Sequence, residues 1–160
     1  MQKNSDITQI INEIAEEINL VLESRNKGRY FQEIVLLYSF IENLLKWLVW
    51  IKLMWEKEEP LTVDTMLKLR SFCRKLNFYN ALNIGFSIDL IDLDLYKRID
   101  AIRDERNNVV HQLWLYRHRN KMSVLRKQLE KLARVSNQLV EIFNQLTGEI
   151  GIEEVYRMFL

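Results

Sequence analysis

Proline occurs once, at Pro60, and glycine only four times in a chain of 160 residues. So few breakers leave little room for tight turns, and long helices are the natural reading. The single cysteine, Cys73, excludes an intrachain disulfide, and one thiol in a self-sufficient domain fits a reducing compartment. A cytoplasmic location is therefore expected. Cys73 lies on the apolar side of the Met66, Leu69, Cys73, Leu76 series, which assigns it to packing, and nothing around it suggests a nucleophile.

The opening residues Met1-Gln-Lys-Asn-Ser-Asp lack the apolar stretch of a secretory signal. The most apolar window, Phe40 to Trp55, is short for a membrane span and carries Glu42, Lys46 and Lys52, so no membrane partner is expected. Net charge is only +1, so any nucleic-acid binding must come from a local patch. Neither a phosphate-cradling glycine loop nor a dinucleotide fingerprint is present. The only histidines, His111 and His118, lie roughly 10 Å apart along a helix, too far to share one metal ion directly. Asp89, Asp92 and Asp94 suit capping and turns better than a cation site. No metal and no cofactor are expected.

What the chain has in quantity is apolar side chains. At 48% hydrophobic, it can bury a sizeable core without metals or disulfides. Its length suits one domain over residues 1–160, with the core at about 5–147 and a C-terminal tail at 148–160. The pattern predicts an all-α helical bundle of four to five long helices plus short ones. A first helix runs from Ser5 or Asp6 to Arg25 on Ile7, Ile11, Ile14, Ile18 and Val21. Asn26-Lys-Gly28 stops it. A second, from about Arg29 to Lys57, has Ile34, Leu37, Ile41, Leu44, Leu48 and Ile51 as its main stripe and Gln32, Ser39, Asn43 and Lys46 as its polar stripe. Trp50 falls on the polar line, with Trp47 and Leu36 close by. A helix this apolar on nearly every side points to a protein–protein interface.

Pro60 ends this segment, and Thr62 can cap a third helix through about Leu76. Between Asn77 and Asp94 the pattern is weak; a short helix broken near Gly85 and a turn around Asp92 are expected. A fourth long helix covers about Leu95 to Tyr116. A fifth covers about Lys121 to Leu146, with Leu125, Leu129, Leu132, Leu139, Ile142 and Leu146 inward, and Gly148 stopping it. Residues 150–160 form a last short helix or a docked tail.

The chemically informative segment is Ile99-Asp-Ala-Ile-Arg-Asp-Glu-Arg-Asn-Asn-Val-Val-His111-Gln-Leu-Trp. At helical spacing Ile99, Ile102, Val109, Val110 and Leu113 share one apolar face, and Arg106 lies near its centre. A guanidinium keeps its proton in a protein, so a buried one needs partners or a hydrated cavity. Arg103, Asn107 and His111 stand four residues apart along an edge beside this face. Arg106 and His111 are about 140° apart on a regular helix, so a shared ligand must lie between them or the helix must bend. Structural alternatives stay open: Arg106 as a core arginine paired with an acid such as Glu42, and His111 as a hydrogen-bonded structural histidine.

Arg106-Asn107-x-x-x-His111 resembles the R-N-x-x-x-H motif of the HEPN superfamily, on a late helix of an all-helical chain followed by one more long helix. Upstream, Ser39-Phe-Ile-Glu42-Asn-Leu-Leu-Lys46 is similar to the second-helix signature of many members, an acid inside an apolar helix. The resemblance covers about residues 5–147. It implies a helical bundle that forms a two-fold dimer with its motif helices facing across a cleft. It also implies endoribonuclease activity of the toxin or antiviral kind, with an antitoxin partner such as a minimal nucleotidyltransferase. The alternative within the family is a non-catalytic module that binds a nucleotide or a partner protein. One toxin subgroup carries a tyrosine two residues after the histidine; Leu113 stands there, so that subgroup's regulation by tyrosine modification is not expected.

These residue types suit RNA cleavage. The substrate supplies its own nucleophile, the 2′-hydroxyl, and the reaction needs proton transfer and stabilised negative charge. His111 is the neutral-pH proton carrier, Arg106 a permanent fork of donors for phosphate oxygens, and Asn107 can orient the imidazole or hold a phosphate oxygen. Glu42 and Arg103 are supporting candidates. One imidazole is sparse for two proton transfers, which is a chemical reason to expect a site shared between two copies. The basic run Arg117-His118-Arg119-Asn-Lys121, then Arg126-Lys127, can grip the RNA backbone or form a solvated turn. Tyr116 can stack on a base.

Overall fold

The computed structural model describes the backbone of residues 6–23, 26–56, 62–111 and 120–150, and side chains at 12–23, 26–56, 62–109 and 120–148. Among these residues the chain is an all-α bundle of six helices: α1 (Asp6–Glu23), α2 (Lys27–Trp55), α3 (Val63–Lys75), α4 (Phe78–Ser87), α5 (Leu93–His111) and α6 (Met122–Ile150). The expected terminal tail after Ile150 lies outside the described residues, as do Pro60, Tyr116, Arg117, His118 and Arg119.

The bundle is organised around α2, which packs against each of the other five helices, most extensively α6. Its predicted stripe of Ile34, Leu37, Ile41, Leu44, Leu48 and Ile51 is buried throughout, and Leu125, Leu129, Leu132 and Leu139 of α6 close over it. Leu146 of α6 is buried as well, and Ile142 is half-buried against the core. Among the described residues α2 is the one helix long and apolar enough to cross a membrane, but here it is the core helix of the bundle. Its exposed edge is the predicted polar line of Gln32, Ser39 and Asn43.

Trp50 departs from the prediction. It was expected beside the polar line as a surface for a second chain, yet it is only 2% exposed. Helix α3 covers it, and the Arg70 guanidinium lies 5.7 Å from its ring centroid. Helical period assigns a face, and only tertiary packing decides what covers that face. Trp47 is half-buried.

The helix ends follow side-chain capping. Asn26 accepts from Gly28 N at 2.9 Å, Thr62 from Thr65 N at 3.3 Å, and Asn77 from Asn80 N at 2.7 Å. Cys73 is buried as expected, and burial pushes its thiol up to about 11.

The expected break at Gly85 does not occur, since α4 runs unbroken to Ser87. Gly85 sits where α4 crosses α2, facing Leu45 and Val49. The helix closes instead at Asp89, in the left-handed region with φ of 52°. Leu90 N donates to Gly85 O at 2.9 Å and Asp89 N to Phe86 O at 3.2 Å, the two bonds of a Schellman closure. Gly148 likewise fails to stop the last helix, which continues to Ile150. Without tertiary contact within 4 Å of its Cα substituent position, Gly148 is tolerated as a weak helix former rather than acting as a terminator.

Candidate functional site

Helix α5 begins on a firm cap. Asp92 Oδ1 accepts from Leu95 N at 2.7 Å, and Asp94 pairs with Arg98 one turn on, so these acids do capping and surface work as the sequence suggested. Ile99, Ile102 and Val109 are buried and hold α5 against the core.

Two adjacent residues of α5 then reach to different helices. Glu105 accepts from Lys131 Nζ of α6 at 2.7 Å and from the Gln128 amide, which also donates to the Tyr38 hydroxyl of α2 at 2.8 Å. This chain of polar groups ties α2, α5 and α6 together at the level of the motif. Arg106 turns toward α2, where its Nη2 lies 2.9 Å from Glu42 Oε2. The other carboxylate oxygen of Glu42 accepts from Lys46 Nζ at 2.7 Å.

The Glu42 and Lys46 side chains are 14% and 12% exposed and that of Arg106 is 33% exposed. The arginine is therefore neither sealed in the core nor loose in solvent. One edge of its guanidinium is fixed by an acid of the central helix while a third of the side chain still meets water. One carboxylate between two cations leaves the cluster with a net positive charge, a setting that receives an anion.

Arg103, a supporting candidate, does not join this cluster. Its Nε donates to Asp100 at 2.9 Å, Nη2 lies 2.8 Å from Asp104, and the guanidinium packs 5.1 Å from the Tyr79 ring of α4. Burial alone would lower its pKa, but the bond to Asp100 and the charges of Asp100 and Asp104 raise it above the ordinary value. Its role is to pin α5 to α4. Asn107 is exposed. His111 stands one turn beyond Asn107 on the same face of α5 and ends the described part of that helix; its side chain lies outside the described residues. Of the basic run, Lys121 is exposed just ahead of α6, and Arg126 pairs with Glu130 at 3.1 Å.

The pairing of Glu42 with Arg106 was legible as an alternative in the sequence. Lys46 was not placed in the site, although its spacing of four residues from Glu42 signals the contact. The Tyr38–Gln128–Glu105 link carries no sequence signal, because it joins residues 23 and 90 positions apart. No family model, curated protein or solved structure matches this chain.

Proposed function

We propose that this chain is a metal-independent endoribonuclease of the HEPN type, working as a toxin or antiviral effector on a homodimer whose motif helices α5 face each other. The observation that carries this reading is the posture of Arg106. It is oriented by Glu42, partly open to solvent, next to exposed Asn107 and on the helix that bears His111. An arginine needed only for packing would gain nothing from that solvent access.

In this reading a phosphodiester lies across α5. His111 takes the proton of the ribose 2′-hydroxyl, whose oxygen attacks phosphorus as the bond to the 5′ oxygen breaks. The 5′ oxygen leaves with a proton from an imidazolium, and the second copy supplies that imidazole. The products are a cyclic 2′,3′-phosphate and a free 5′-hydroxyl. Arg106 holds the non-bridging oxygens as charge builds there, and Glu42 fixes the direction of the guanidinium. Lys121 and the basic run before it, Arg117 and Arg119 with Tyr116, hold the flanking strand. A cognate antitoxin, such as a minimal nucleotidyltransferase, is the partner this activity calls for. The dimer surface is the α5 face; buried Trp50 has no part in it.

The second reading, a non-catalytic module that binds a nucleotide or partner, draws on the same contact, since Glu42 already occupies one edge of Arg106. An RNA-cleavage assay of the wild-type protein beside Arg106→Ala and Asn107→Ala separates the two. Cleavage lost in the variants supports the nuclease, and nucleotide binding without cleavage in the wild type supports the module.

A further inference from the structure

Lys46 lies deeper than a lysine usually goes, with its side chain only 12% exposed, and no step of the proposed reaction uses it. Among the described residues its one ion-pair partner is Glu42, a turn back on α2. That contact also bears on Arg106. A carboxylate left alone with an arginine favours a fork, two parallel N–H bonds to its two oxygens, which uses up a whole edge of the guanidinium. Here the carboxylate is divided. Glu42 Oε2 lies 2.9 Å from Arg106 Nη2, while Oε1 accepts from Lys46 Nζ at 2.7 Å. The ammonium holds the oxygen that the second arm of a fork would need.

We propose that Lys46 is a positioning residue. By holding Glu42 Oε1 it keeps Arg106 from being drawn into a fork, and so leaves guanidinium donors for a phosphate of the bound strand. Lys46 acts through Glu42 and Arg106 and does not itself grip the strand; its side chain is less open to solvent than that of Arg106. A lysine elsewhere on the surface would give the same net charge, so what Lys46 supplies is the division of the carboxylate. In Lys46→Met the length and apolar stem are kept, and Glu42 still has Arg106, so no buried charge is abandoned and the fold is expected to hold. The freed oxygen then turns to Arg106 and takes the donors that the phosphate needs. The inference rests on the reading of Arg106 as the residue that meets phosphate, and not on cleavage.

The test is binding of a single-stranded 2′-O-methyl RNA oligonucleotide, which lacks the attacking hydroxyl, by fluorescence polarisation of the full chain in EDTA at fixed ionic strength. The melting temperature of each variant is recorded beside it. Saturable binding is expected of the wild type, and Lys46→Met and Arg106→Ala should each weaken it about tenfold. The double variant should bind no more weakly than Arg106→Ala alone, because Lys46 acts only through that arginine. Lys46→Arg, which can still hold Oε1, should recover most of the affinity. With the carboxylate removed by Glu42→Gln, adding Lys46→Met should change binding no further, an arm that also serves if Lys46→Met alone does not fold. A lysine that gripped the strand itself, or acted through general charge, would add its loss to that of Arg106→Ala. Unchanged affinity in folded Lys46→Met, additive losses in the double variant, or a wild type that does not bind overturns the proposal. The expected pattern in a protein that cuts no RNA removes the nuclease reading and supports this one.

Discussion

Glu42 and Arg106 join the central helix to the motif helix at 2.9 Å, and Lys46 holds the second oxygen of the same carboxylate at 2.7 Å. This shared acid decides how the site responds to change. Removal of Arg106 leaves Glu42 with a cationic partner, so the penalty of an abandoned buried charge is largely avoided. Arg106→Ala is expected to cost about 1–2 kcal/mol in urea denaturation, below the roughly 3–5 kcal/mol of a broken buried pair, while abolishing RNA cleavage. Glu42→Ala leaves two facing cations and should cost more. A larger loss for Arg106→Ala than for Glu42→Ala contradicts this view of the cluster.

Glu33 makes stability depend on pH with a definite sign. Its pKa is raised in the fold, so between the ordinary carboxylate value and the raised one the native state holds more protons than the unfolded chain. Stability from this group is present at low pH and is lost as pH rises through that window. Glu33→Gln removes the loss. The variant should gain on wild type as pH rises, being closest to it near about pH 4 and more stable than it near about pH 7, in urea melts at both values. A variant less stable than wild type at neutral pH contradicts the view of Glu33 as a carboxyl whose charge is disfavoured by burial, by the like charge of Glu17 and by its hydrogen bond to that side chain.

Gly85 offers a gain. A Cβ there would meet Leu45, Leu90 and Val49 side chains at 3.6 Å each, ordinary contact distance, and the residue lies inside a regular helix. Gly85→Ala should therefore stabilise the protein by about 0.5–1 kcal/mol, through helix propensity and added apolar contact. A drop in melting temperature would show that the crossing of α4 and α2 has no room for a methyl group and contradicts this prediction.

How far the sequence could be read depended on the range of the determining contacts. The buried stripes of α2 and α6 follow from the helical period alone, and Thr62 and Asp92 cap helices by local spacing. Arg106 stood out because it interrupts an apolar face, and Glu42 because it does the same in α2. Trp50 misled because it is covered by α3, a separate helix whose packing on α2 the period of α2 does not reveal. Gly85 misled because a glycine in a weak pattern signals a break and a close helix crossing equally well. Glu33 lay in plain sight on the stripe of Tyr30 and Leu37, but its meaning depends on Glu17 from another helix.

The Tyr38–Gln128–Glu105 link should set the roll of α5. Gln128→Ala removes the amide that bridges Tyr38 and Glu105, while Lys131 still holds Glu105, which is 39% exposed, so the cost is that of ordinary hydrogen bonds, about 0.5–1.5 kcal/mol. If the roll of α5 matters for the site, cleavage falls further than stability alone explains, at a temperature where the variant is fully folded. Unchanged turnover under those conditions would separate this network from the site.

The homodimer is checked by light scattering at micromolar concentration, where twice the 19.4 kDa chain mass is expected. A strict monomer under cleaving conditions removes the composite site.

The central claim is that α5 carries a ribonuclease centre needing no metal. Its most direct test is cleavage of RNA by the wild-type protein and His111→Ala in EDTA, with the melting temperature of each recorded and the product ends identified. The account predicts wild-type cleavage that leaves a cyclic or 3′-phosphate, and a folded, dimeric, inactive His111→Ala. Equal activity in the two proteins, or activity that returns only with added divalent ions, contradicts it.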